Sequence, residues 1–243
     1  MKEAKNNFNI NIDEMAKAGV FFGHRASKIH PKMKPYICGV KNTVHIIDLS
    51  KTSEKLKQAL NFIQKLISEN KNLLLVGTKI QTKELVENLA KDCNLCYVSE
   101  RWLGGTFTNF KTIRKRIDYF KDLEKKKEEG GLEKYKKKER IKIYKDLENL
   151  RKKFKGIKNL EKLPDAIFVL DMKANDLAVK EAKMKGIKVI GICDTNVDPS
   201  QADWPIPAND DAISSVKYIL EKVKEVIKKC KVKSETLPTG RQE

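Results

Sequence analysis

"AIFVLDMKANDLAVKEAKMKGIKVIGIC", residues 166 to 193, sets one helical pattern between two apolar runs. The runs, 166 to 170 (AIFVL) and 187 to 193 (IKVIGIC), are short, rich in β-branched residues and bounded by Asp, Gly or Pro. That is the pattern of strands covered on both faces, as in a parallel sheet. Residues 176 to 185 between them read as a helix. Working outward, LLLV (73 to 76) and CYV (96 to 98) repeat the strand pattern. Helical spacing recurs over 53 to 69 (Leu56, Leu60, Ile63, Ile67), over 82 to 91 (Leu85, Leu89), and over 212 to 228 (Ile213, Val216, Ile219, Leu220, Val223, Ile227). Strand and helix alternate, which predicts an α/β fold with a Rossmann-like, doubly wound parallel sheet. Nearer the start, PYICGVKNTVHIID (35 to 48) reads as a β-hairpin joined through Val40, Lys41 and Asn42.

The alternation breaks between residues 108 and 160. Ile113, Ile117, Phe120 and Leu123 form a helical stripe, Gly130-Gly131 interrupts it, and Tyr144, Leu147, Leu150, Phe154 and Ile157 resume it. This predicts an inserted helical hairpin, an antiparallel coiled coil over 108–159, on a core made of 1–107 plus 160–230. Residues 231–243, ending in the polar SETLPTGRQE, read as a disordered tail.

Of 243 residues, 51 are Lys or Arg and 33 are Asp or Glu, a net charge of +18. Between Lys111 and Lys155 there are 19 basic and 9 acidic residues, so +10 of that excess sits on the hairpin. A charge run on a long helix is commonly a solvated face, but such a face mixes signs more evenly. The excess points to a polyanion, met at the hairpin. No apolar run approaches the roughly 18 residues that span a bilayer. The first dozen residues fit neither a secretion signal nor a transit peptide, and five cysteines suit reduced thiols in a cytosol.

In a doubly wound sheet, ligands gather at the carboxyl ends of the strands. Here those ends carry Gly77-Thr78-Lys79, Ser99 to Thr106, Asp171 and Asp194 to Pro199. Neither GxxxxGK[ST] nor a GxGxxG after a strand is present, so a nucleotide enzyme loses its main support. An enzyme using Lys79, Asp171 and Asp194 stays open, since fold alone does not exclude one. His24 could join Asp194, Asp210 or Asp211 around a divalent cation, without a recognisable ligand spacing. Cys93-x-x-Cys96 leaves a helix to enter a strand, the reverse of a thioredoxin-like site, and reads as structural. Arg25, Lys28, Lys32 and Lys34, stiffened by Pro31 and Pro35, form a basic loop suited to phosphate contacts. Gly104 and Gly105 in RWLGGTFTNFKTIRKRI (101 to 117) would let backbone approach an anion, but they lead at once into Lys111, Arg114, Lys115 and Arg116.

Seven segments occur in order: AGVFFGHRASKIHPKMKPYI, NTVHIIDLSKT, LLLVGTK, RWLGGTFTNFKTIRKRI, LPDAIFVLDMK, AVKEAKMKGIKVIGICDTNVDP and PIPANDDAISSVK. From about Asp13 to Lys228 they closely resemble the bacterial-type ribosomal protein S-two family, the second protein of the small subunit. The resemblance implies a Rossmann-like core with a protruding coiled coil, no cofactor, no small-molecule substrate and no catalysis. It implies a cytoplasmic ribosomal component, bacterial or organellar, that binds small-subunit ribosomal RNA between head and body on the solvent side. The expected protein neighbours include the S-one protein. Carried over by position, Arg25, Lys32, Lys34, Arg101, Trp102, Asn109, Lys111, Thr112, Arg114 and Lys115 would face RNA or brace the loop that does. The chain departs from the family pattern at Phe21, at Ile29-His30 and at Ala208, which stand where histidine, Trp-Asn and glycine are usual. A third reading, a scaffold whose coiled coil binds protein, is weakened if the apolar stripe is used up within the hairpin.

Overall fold

A computed structural model describes residues 8–132 and 134–235. The chain starts with α1 (Ile12–Lys17) and β1 (Phe22–Arg25), followed by a 3-10 turn (Pro31–Tyr36), β2 (Ile37–Lys41), β3 (Val44–Ile47) and α2 (Leu49–Ser68). Then come β4 (Leu73–Val76), α3 (Ile80–Cys93), β5 (Cys96–Val98) and the hairpin helices α4 (Phe110–Glu128) and α5 (Lys137–Phe154). A 3-10 turn (Lys155–Ile157) leads back to β6 (Ala166–Val169), α6 (Asp176–Met184), β7 (Lys188–Cys193), β8 (Trp204–Pro207) and α7 (Ile213–Glu235).

The main sheet has the order β5-β4-β6-β7-β8 and every pairing is parallel. Period-2 alternation sorts its side chains into two cores. Leu73, Leu75, Ala166, Phe168, Ile190 and Ile192 pack with α1, α2, α3 and α7. Leu74, Val76, Ile167, Val169 and Val189 pack with α6 and the near ends of α4 and α5. Helices therefore cover both faces, as the continuous apolar runs require.

Four details differ from the sequence reading. The fifth strand, β8, was hidden by Pro205 and Pro207, but it lies at the sheet edge, where a missing N–H costs no ladder bond. The hairpin turn falls at Asn42 and Thr43, with φ of 48° and 64°, while Val40 and Lys41 belong to β2. Two successive positive φ values suit the primed turns that follow strand twist. Strand β1, unforeseen in FGHR, pairs with β3 to complete a separate antiparallel sheet, β1-β3-β2. Helix α7 runs to Glu235, past the expected boundary at residue 230, so 231–235 are helical, and the rest of the expected tail, 236–243, lies outside the described residues.

The hairpin helices meet through Ile117, Phe120 and Leu123 on α4 and Leu147 and Phe154 on α5, all buried. Tyr144, expected in the same stripe, is exposed, with Lys127 Nζ 5.4 Å from its ring centre, and Ile141 is 60% exposed. Ile143 and Leu150, partly buried against the same cluster, extend the seam along α5 at spacings of four and three, and Tyr144 lies beside that stripe.

Candidate nucleic-acid interface

The loop after β5 answers the question its glycines raise, because its anion comes from the protein itself. Gly105 has φ +88°, a left-handed conformation open to glycine, and the N–H groups of Gly105, Phe107 and Thr108 face one point. The Glu181 carboxylate of α6, 3% exposed, sits among them. Its Oε1 accepts from Gly105 N at 2.7 Å and Trp102 Nε1 at 3.4 Å. Its Oε2 accepts from Phe107 N at 2.8 Å, Thr108 N at 3.2 Å and Thr108 Oγ1 at 3.3 Å. Burial, the largest influence, would raise this carboxyl's pKa, but the N–H donors of Phe107, Gly105 and Thr108 outweigh it and hold it below the usual range. Trp102 is buried edge-on against Phe107, with ring centres 4.8 Å apart. It braces the loop from inside and presents no face to a partner. The phosphate-cradle reading is therefore replaced: the loop is a rigid pivot that launches α4.

Beyond the pivot, Lys111, Thr112, Lys115 and Arg116 are exposed, and Lys111 and Lys115 lie one turn apart on the same side of α4. Asn109 occupies the N-cap, yet its side chain makes no capping bond and is exposed. Arg101 is exposed at the loop's start. Arg114 differs from its neighbours: its Nη1 donates to the Leu160 carbonyl at 2.8 Å and its Nε lies 3.3 Å from Asp118. It straps α4 to the segment that returns from α5. On that return, a Cβ placed on Gly156 would lie 2.2 Å from the Tyr97 carbonyl oxygen. The backbone there presses on the edge strand β5 so closely that only glycine fits.

The amino-terminal basic loop lies at the same carboxyl edge, toward β7, with His30 N donating to the Thr195 carbonyl at 2.8 Å. Arg25, Lys28 and Lys34 are exposed. Lys32 is engaged: Nζ lies 2.8 Å from Asp198 Oδ2 and 2.7 Å from Ser200 Oγ. The candidate positions thus divide into exposed side chains without a partner among the described residues (Arg25, Lys28, Lys34, Arg101, Asn109, Lys111, Thr112, Lys115), an exposed but paired Lys32, and the braces Trp102 and Arg114.

Between the two basic loops lies the crevice that kept an enzyme in play. Lys79 Nζ is 2.7 Å from Asp171, 2.8 Å from Asp210 and 2.8 Å from Asp211. One ammonium cannot hold three carboxylates ionised equally. Burial, then repulsion from Asp171 and Asp194, pushes Asp210 up to about 7, whereas Lys79 itself is held charged against its own desolvation. His24 Nδ1 lies 3.0 Å from Asp194 Oδ2 and Nε2 lies 3.6 Å from Asp211 Oδ2. The hydrogen bond to Asp194 raises the imidazole's pKa, against the opposing effect of burial. Ligand atoms of His24, Asp194 and Asp211 lie within 4.8 Å of one another, the donor types a divalent cation would use. They already satisfy each other, so an ion would have to displace the His24–Asp194 contact. Cys93 and Cys96 are free, with both thiols pushed up by burial, which opposes thiolate chemistry.

Glu181 and Gly156 were the residues the sequence reading missed. The one signal for Glu181 was an acid on the face of α6 that also carries Ala178 and Ala182, both buried.

Comparison with known proteins agrees with this architecture. Residues 15–230 match the family model described as "Ribosomal protein S2". The protein called "Small ribosomal subunit protein uS2" from Dictyoglomus thermophilum is 46% identical over 219 residues, covering 90% of this chain and 89% of that one. Its counterpart of the same name from Dictyoglomus turgidum is 45% identical over 219 residues, covering 90% and 89%. Both names are those of a small-subunit ribosomal protein, a structural family and not an enzyme family. The chain belongs to the ribosomal protein S2 family.

Proposed function

We propose that this chain is built into the small ribosomal subunit in the cytoplasm, where it binds ribosomal RNA between head and body on the solvent side. No helix among the described residues is long and apolar enough to cross a membrane. The observation that carries the reading is the exposed basic face of α4, launched from a pivot that Glu181 fixes from within. Lys111 and Lys115 would neutralise phosphates and release counterions. Asn109 and Thr112 are free to hydrogen-bond phosphate or 2′-hydroxyl oxygens, so recognition is by shape and not by sequence. Arg25, Lys28, Lys34 and Arg101 add phosphate contacts at the same sheet edge. Support for neighbouring ribosomal proteins, the S-one protein among them, rests on the family resemblance alone. The test is co-sedimentation of the full chain with small subunits lacking their own copy, over a series of salt concentrations. Stable association that weakens steeply with salt supports the proposal. Failure to sediment with the particles at low salt contradicts it.

A further inference from the structure

The opposite edge of the main sheet, at the amino ends of its strands, carries a feature that the α4 face does not explain. A trough of about 750 Å³ opens between the ends of α2 and α3 and the segment returning from the hairpin. Lys71, Lys91, Lys155, Lys162 and Lys231 line it, Lys71 paired with Glu69, and among the described lining residues Glu161 is the only acidic side chain. A smaller cavity of about 250 Å³ shares Tyr97, Lys155 and Gly156 with the trough and continues to Lys152 and Lys153 at the foot of α5. Arg151 also lines this cavity, together with Glu87, Glu100 and Glu148, so the path from hairpin to trough has a small basic excess, and Lys152 and Lys153 form no ion pair among the described residues.

Helix chemistry alone leaves part of this charge unexplained. Carbonyls at the C-terminal ends of helices attract cations, and Lys231 serves that purpose, its Nζ donating to the Cys93 carbonyl at 2.6 Å. Lys155 is paired with Glu87 at 3.1 Å. Lys91, in the last turn of α3, answers the same carbonyl end, but Lys162 lies on no helix, and both are exposed and form no ion pair among the described residues. The side chains of Asn94 and Asn159, also exposed along the trough, make no hydrogen bond among the described residues.

We propose that this trough is a second seat for the ribosomal RNA backbone, reached by a strand that passes the foot of α5. The chemistry selects a polymer over a single small phosphate. A built site for one phosphate uses backbone N–H groups at a helix N-terminus or a rigid guanidinium fork. This trough faces helix C-terminal ends and presents flexible ammonium groups, which act as point charges spread along a path. Asn94 and Asn159 supply neutral partners for 2′-hydroxyl or phosphate oxygens between those charges.

The inference rests on the reading that the chain binds ribosomal RNA, and the test separates the two. Binding of the full chain to small subunits lacking their own copy is measured against salt concentration for three double variants. They are Lys91→Gln with Lys162→Gln in the trough, Lys111→Gln with Lys115→Gln on α4, and Lys57→Gln with Lys217→Gln on the outer faces of α2 and α7 as a control of equal charge. The proposal expects the trough pair to lower the salt slope by about two units, one for each phosphate contact, and the control pair to leave it unchanged. If the α4 pair lowers the slope and the trough pair does not, the trough is refuted while RNA binding stands. Equal losses in trough and control reduce the effect to net charge and overturn the proposal. If neither the α4 pair nor the trough pair changes the slope, the RNA reading falls and takes the trough with it.

Discussion

Replacing Glu181 with Gln keeps the size of the side chain and removes the charge on which the pivot is built. Five donors converge on the two carboxylate oxygens: Gly105 N, Trp102 Nε1, Phe107 N, Thr108 N and Thr108 Oγ1. A carboxamide has one acceptor oxygen. However it is flipped, its NH2 meets at least two N–H donors: Gly105 N with Trp102 Nε1, or Phe107 N with Thr108 N. Leaving a buried donor unsatisfied costs about 1–3 kcal/mol, so two cost roughly 2–6 kcal/mol. Relief from burying a charge returns part of that. The expected net loss is about 3 kcal/mol, a large share of the 5–15 kcal/mol of a typical domain. Urea unfolding at pH 7 reads this as a lower midpoint with the slope unchanged, and hydrogen exchange should accelerate at the amides of Gly105, Phe107 and Thr108. The carboxyl's pKa is lowered by folding, so its stabilisation is complete above the unfolded value of about 4.5 and disappears as pH falls through the folded pKa. The gap between parent and variant should therefore close on acidification. A loss under about 0.5 kcal/mol at pH 7 with unchanged amide exchange would refute the pivot, since that is the range of neutral surface changes.

Gly156→Ala pushes a methyl group into the Tyr97 carbonyl, and the 3-10 turn must lift off β5, at a cost of about 1–3 kcal/mol in the urea midpoint. An unchanged midpoint would show that the contact yields freely. Arg114→Gln loses the strap to Leu160 and should cost about 1–2 kcal/mol of stability, with the salt slope of subunit binding unaltered; a lower slope would make Arg114 a phosphate contact instead. The His24 pKa is raised by Asp194, so the pair stabilises the fold fully below about pH 6.5 and loses that contribution as pH rises through the folded pKa. An NMR titration should place the His24 midpoint above 6.5, and Asp194→Asn should bring it down. Equal midpoints in parent and variant would dissolve the pair.

The strands β4, β6 and β7 were legible because each is covered on both faces and so reads as an unbroken apolar run. β8 was not, because a strand at a sheet edge tolerates prolines that would exclude it from the middle. Which basic residues are already paired could not be read from local pattern, since the deciding partners are remote. Lys32 meets Asp198 across 166 positions and Arg114 meets Leu160 across 46. Glu181 reaches Phe107 across 74. Sequence spacing shows where charge accumulates, whereas the fold decides which charges are already satisfied.

The most direct test of the account is a structure of the small subunit reconstituted with this chain. The account predicts RNA phosphate or ribose oxygens within hydrogen-bonding distance of the Lys111 and Lys115 ammonium groups, with Glu181 still seated beneath the pivot. A hairpin that projects into solvent, or touches protein alone, would contradict it.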